Sequence, residues 1–99
     1  MRPTREPSAL QAIQAEAQVL LRTHAAGTLK YIPKSRWPRT ISELAPENVE
    51  VSQAGVDILI KPHFDGGWGY FVPRDKHVRL EPAGLYTSLG HEVYWYRPY

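Results

Sequence analysis

Nine of the chain's eleven aromatic residues fall between His63 and Tyr99, set among glycines and prolines. The densest runs are Gly66-Gly67-Trp68-Gly69-Tyr70-Phe71-Val72-Pro73-Arg74 and Val93-Tyr94-Trp95-Tyr96-Arg97-Pro98-Tyr99. Aromatic side chains suit a pleated, half-buried surface, while Gly and Pro interrupt helices. This third of the chain therefore reads as short β-strands joined by tight connections. It also holds more rings than one face of a small sheet needs. The surplus predicts an exposed aromatic contact surface.

The preceding residues supply what such a sheet packs against. Leu10, Ile13, Ala17, Leu20 and Leu21 recur at three- and four-residue intervals and so share one stripe of an α-helix. Ser8 with Gln11 resembles a capping box, Pro7 suits the helix start, and Gly27 is placed to stop it. Such a helix of about 18 residues would be about 27 Å long, enough to cross a small sheet. Thr28 to Ile32 alternates like a strand that Pro33 ends. Ser35 to Leu44 reads as a short second helix burying Trp37, Ile41 and Leu44, with Pro38 tolerable only in its first turn.

Asn48 to Ser52 and Val56 to Ile60 flank Gln53-Ala54-Gly55 as a β-hairpin, with Val49, Val51, Val56, Ile58 and Ile60 facing the core and Pro62 closing the second strand. Trp68 to Val72 makes a third strand, Val78 to Leu80 pairs briefly, and Glu92 to Arg97 makes the last. The expected fold is a two-layer α+β domain: a long N-terminal helix on an antiparallel meander of about four strands, with a short second helix. One domain spans residues 1–99, with 1–7 a loose tail.

Composition removes several classes of function. The absence of cysteine excludes disulfides, thiolate metal sites and a cysteine nucleophile, and it fits a cytoplasmic protein. No run approaches the roughly 20 apolar residues of a membrane span, and no apolar stretch follows Met1-Arg2 as a secretory signal requires. The net charge of +2 is too small to advertise nucleic-acid binding. Its distribution is uneven. Arg22, Lys30, Lys34, Arg36 and Arg39 form a basic run without acids, and Glu43, Glu47, Glu50 and Asp57 follow as an acidic run without bases. The two runs either neutralise each other on folding or leave a basic patch for an acidic partner.

Catalytic signatures are weak. His63 and Asp65 lie two apart, and His91 with Glu92 follows, so a small metal-dependent or hydrolytic enzyme could draw on His63, Asp65 and His91. The spacing matches no metal signature, and solvated loop histidines are the commoner case. Ser88 has no nucleophile elbow around it. Gly66-Gly67-Trp68-Gly69 lacks the Gly-Lys-Ser/Thr ending and following helix of a phosphate loop, so its glycines are better explained by a bend. No catalytic residue, metal or cofactor is assigned.

Two binding readings remain. Trp68, Tyr70, Arg74, Tyr94, Tyr96 and Arg97 are candidate contacts for a protein partner, with Trp37 and Arg39 as a secondary patch, since Trp, Tyr and Arg are the types that anchor interfaces. The alternative is single-stranded nucleic acid, with Tyr70, Tyr94 and Tyr96 stacking bases beside Lys34, Arg36 and Arg74.

Ile32-Pro33-Lys34-Ser35-Arg36-Trp37-Pro38, Gly66 to Pro73 and Gly90-His91-Glu92-Val93-Tyr94-Trp95-Tyr96 resemble segments of a group of small bacterial proteins of uncharacterised function. The resemblance covers roughly residues 30 to 99 and implies no catalytic or binding residues. The function expected is that of a non-enzymatic macromolecule binder with an aromatic and basic sheet surface. An immunity- or antitoxin-like protein that blocks a partner is one concrete form.

Overall fold

A computed structural model describes residues 1–24, 29–64 and 66–99. Helix α1 spans Pro7–Thr23, and its buried residues are Leu10, Ile13, Ala17, Leu20 and Leu21, the apolar stripe of the sequence. Pro7 occupies the first turn, where its missing N–H costs nothing, and Glu6 rather than Ser8 is the N-cap, with no side-chain cap bond. Gly27, expected to stop the helix, lies outside the described residues; His24 is the C-cap.

The sheet has six strands instead of about four. They are β1 (Lys30–Tyr31), β2 (Asn48–Val51), β3 (Gly55–His63), β4 (Gly66–Pro73), β5 (Tyr86–Gly90) and β6 (Val93–Tyr96). All pairings are antiparallel, in the order β1-β2-β3-β4-β6-β5. The expected meander therefore fails at one point: β6 inserts between β4 and β5, and residues 74–85 carry the chain past the gap. Val78 to Leu80 forms no strand.

Pro62 does not close β3 either. A bulge between Leu59 and Lys61 shifts the register, and Pro62 pairs with Gly67 near the end of the ladder. The same shift leaves Ile60 only half-buried at the margin of the core.

The second helical region is two pieces. Lys34–Arg36 is a 3-10 turn, and α2 spans Arg39–Glu43 with Pro38 as its N-cap. Pro38 offers no side-chain acceptor, so the free amides at the start of α2 are met from α1. The Glu16 carboxylate accepts from Thr40 N at 3.1 Å and Ile41 N at 3.0 Å. That contact locks the two helices together on one side of the sheet.

The core lies between the helices and one sheet face. Val49, Val51, Val56, Ile58, Tyr70, Val72, Val93 and Trp95 meet the α1 stripe and Ile41 there. Each fully buried Ile or Val contributes about 1.5–3 kcal/mol relative to exposure. The opposite face carries the alternate residues. Tyr31, Glu50, Asp57, Phe71, Tyr94 and Ser88 form one cross-strand row, and Asn48, Leu59, Gly69, Tyr96 and Tyr86 the next.

The β5–β6 turn stores strain. His91 (φ 54°) and Glu92 (φ 60°) both lie in the left-handed region that a two-residue hairpin of this type demands. Neither is glycine. Glu92→Gly is expected to stabilise the fold by about 1 kcal/mol, a rise of roughly 4–8 °C in Tm for a domain of this size. A thermal melt that is unchanged or lowered would count against the strain.

Candidate functional site

The fold divides the eight candidate contact residues among five places. Tyr70 points toward α1, is 4% exposed, and its hydroxyl accepts from the Thr4 amide at 2.7 Å. It is a core residue and is closed to any partner. Arg74 holds the β2–β3 turn: Nε donates to Gln53 O at 3.0 Å and Nη2 to Ser52 O at 2.8 Å. Trp37 packs on the core beside β1, with Nε1 donating to Ile32 O, while Arg39 is exposed and pairs loosely with Glu43 at 3.8 Å. Tyr94 and Tyr96 are half-buried on the sheet face away from the helices.

Trp68 and Arg97 do come together. They line a groove of about 570 Å³ whose other walls include Arg2, Arg5, Thr87 and Trp95. The first residues, expected to be a loose tail, thus lie along the sheet, tied by the Thr4–Tyr70 bond. Arg2 and Arg5 reach the site over a separation of more than sixty residues, which no local pattern signals.

Trp68 extends this groove into an aromatic cluster at the β3–β4 tip. His63 lies 5.7 Å from Trp68, 5.3 Å from Tyr99 and 5.8 Å from Phe64, and Trp68 lies 6.1 Å from Tyr99, ring centroid to centroid. Interplanar angles of 62° to 84° make every contact edge-to-face. Lys61 Nζ sits 5.7 Å from the Trp68 ring, a cation–π distance. Phe64 is 99% exposed and Tyr99 72% exposed. Among the described residues only Arg39–Glu43 and Arg79–Glu81 form ion pairs, so Arg2, Arg5, Lys61 and Arg97 pair with none of the described carboxylates.

The basic and acidic runs of the sequence do not cancel as a block. Arg39–Glu43 is the one ion pair joining them among the described residues, and both partners are mostly exposed. Glu50 and Asp57 instead stand directly opposite each other on β2 and β3, on the face that Tyr94 and Tyr96 share. The Tyr96 hydroxyl reaches across β4 and donates to Asp57 Oδ1 at 2.5 Å. Gly69 makes this crossing possible: a Cβ there would lie 2.5 Å from the Tyr96 hydroxyl and against the Ile58 carbonyl. Burial pushes the Asp57 carboxyl up to about 6 against the lowering pull of the Tyr96 bond, with Glu50 adding like charge. Burial and the Asp57 charge raise the Tyr96 phenol in turn.

His63 and His91 cannot share a metal or a reaction. His63 pairs with Gly66 at one end of β4, whereas His91 follows β5 at the other end, beyond the Phe71–Tyr94 pair. The separation is on the order of 20 Å at about 3.3 Å per strand residue. Asp65 lies outside the described residues. No group of three or more His, Cys, Asp or Glu side chains that could hold a metal forms among the described residues.

No described helix is long and apolar enough to cross a membrane. The chain matches no protein-family model, no curated protein and no solved structure.

Proposed function

We propose that the chain is a protein-recognition domain whose contact surface is the cationic aromatic end of the sheet, and that it engages an acidic, partly apolar protein segment. The observation that carries this reading is Phe64, fully exposed on a packed cluster of His63, Trp68 and Tyr99. A phenyl ring left in water gains nothing from folding but gains from burial against a partner, and here it stands on the His63 ring beside Lys61 and the Arg2, Arg5 and Arg97 groove. Charge complementarity selects an acidic partner.

The edge-to-face packing weighs against single-stranded nucleic acid as the ligand. A stacking platform needs successive ring faces open to successive bases, and most rings here spend their edges and faces on each other. Tyr94 and Tyr96 share their surface with Glu50 and Asp57, which repel phosphate.

Binding of acidic–apolar peptides and of oligo-dT and oligo-U, measured by fluorescence anisotropy at two salt concentrations, tests the reading. Acidic–apolar peptides are expected to bind, and Phe64→Ala to weaken them tenfold or more, about 1.4 kcal/mol, while the melting temperature stays unchanged. Tighter binding of the oligonucleotides with a steep salt slope, or peptide affinity indifferent to Phe64→Ala, would overturn it.

A further inference from the structure

The opposite sheet face holds a second site that the aromatic tip does not explain. A cavity of about 320 Å³ opens there between β3, β6 and the segment leading into β5, at the lower end of the roughly 300–1,000 Å³ range of small-molecule sites. Asp57 forms part of its wall and Glu81 stands on its lining, with the Tyr86 and Tyr96 rings 5.9 Å apart and tilted 54° between them. Leu59, Leu85 and two prolines complete the apolar part.

Three observations give the cavity a preference in charge. Asp57 Oδ1 takes the Tyr96 hydroxyl, while Oδ2 has no hydrogen-bond partner among the described residues and is not sealed from solvent. Glu50 faces Asp57 directly across the strand pair, and like charges in that position repel. The ring faces of Tyr86 and Tyr96 attract cations. Arg97 is the one base on the lining; its Nη2 donates to Gly84 O, and it forms no ion pair with either carboxylate. Two carboxylates therefore outweigh one guanidinium, and Glu50 adds to the imbalance.

We propose that this cavity binds an organic cation, an alkylammonium group seated against the Tyr86 and Tyr96 rings with its charge on the Asp57 carboxylate. The apolar lining favours a weakly hydrated ammonium over a hydrated metal ion, which would need several more oxygen ligands. Gly69 gives the site a built character, because only a residue without Cβ lets Tyr96 lie across β4 and orient Asp57. The group can be a free amine or the lysine side chain of another protein, and the chemistry of recognition is the same. Apart from Arg97, which lines both cavities, the site is separate from the Phe64 surface.

Titration of the wild-type chain with tetramethylammonium, butylammonium and a lysine-containing peptide, followed through the Tyr86 and Tyr96 ring resonances, tests the proposal, with acetate as the control. A saturable shift is expected with the cations and none with acetate. Affinity is expected to fall several-fold from pH 8 to pH 5, as Asp57 takes up a proton. Asp57→Asn is expected to weaken binding at least tenfold while remaining folded, and Glu81→Gln, at an exposed rim position, to weaken it several-fold. Equal affinity for butylammonium and the peptide assigns the site to free amines; a strong preference for the peptide assigns it to protein-borne lysine. No saturable shift with any cation, or undiminished binding by Asp57→Asn, overturns the proposal.

Discussion

Replacing Gly69 with alanine is expected to destabilise the domain by about 3 kcal/mol, at the upper end of the usual cost of overpacking. One methyl group is all that is added. It would meet the Tyr96 hydroxyl from above and the Ile58 carbonyl from the neighbouring strand, and the carbonyl cannot yield without disturbing the β3–β4 ladder. Tyr96 must then swing out, leaving Asp57 without its donor. Urea unfolding of Gly69→Ala, with the Tyr96 ring resonance as a local reporter, would show both effects. The account fails if stability drops by less than about 1 kcal/mol, or if the Tyr96 resonance stays in place.

The second large effect concerns acidity. Asp57 titrates at about 6 in the folded chain, against an ordinary value of 3.8. The folded state therefore holds the proton more tightly than the unfolded state does. This contribution is fully present below about pH 3.8, is lost as pH rises, and is gone above about pH 6. A shift of about two units at a mostly buried group corresponds to about 2–3 kcal/mol. The direction is opposite to the usual loss of stability in acid.

Asp57→Asn isolates the effect, since asparagine keeps an oxygen to accept from Tyr96 and carries no charge. The difference in unfolding free energy between the two chains is expected to widen in favour of Asp57→Asn from pH 4 to pH 7 and then to level off. A difference flat across that range would mean that Asp57 is not desolvated. Tyr96→Phe should move the transition higher, because it removes the one contact that favours the carboxylate. The same substitution that strengthens the fold thus removes the charge on which cation binding rests.

The sequence was most legible where one periodicity governs a whole segment. All five buried residues of α1 follow from 3.6-residue spacing, and Val49, Val51, Val56 and Ile58 follow from alternation. Strand β5 escaped because Tyr86-Thr87-Ser88-Leu89-Gly90 lies at the sheet edge, where Thr87 and Ser88 are exposed and no alternating apolar face is required. Pro62 misled because a bulge two residues earlier had already loosened the ladder. The strand order was illegible, since nothing local states that the chain skips a position and returns.

The same limit governs the sites. A surplus of rings could be read from composition, and Trp68 with Arg97 could be named. Which rings share a face depends on register between distant strands, and that sent Tyr70 inward and Tyr96 outward. Asp57 looked like an ordinary polar-face carboxylate in Val56-Asp57-Ile58. Its burial comes from Tyr96, which reaches it only because β6 lies beside β4.

The insertion of β6 also sets an order of assembly. Strand β6 follows in the chain every strand it touches, so the outer rim of β4 remains unpaired until residues 93–96 have emerged and folded back. During that interval Trp68-Gly69-Tyr70-Phe71-Val72 offers free backbone donors and acceptors along an apolar, uncharged stretch, the kind of edge that pairs with other chains. The β4–β6 junction, one strand in from the sheet edge, closes last. Synthesis therefore passes through a stage in which this edge of β4 is open to other chains until β6 closes it.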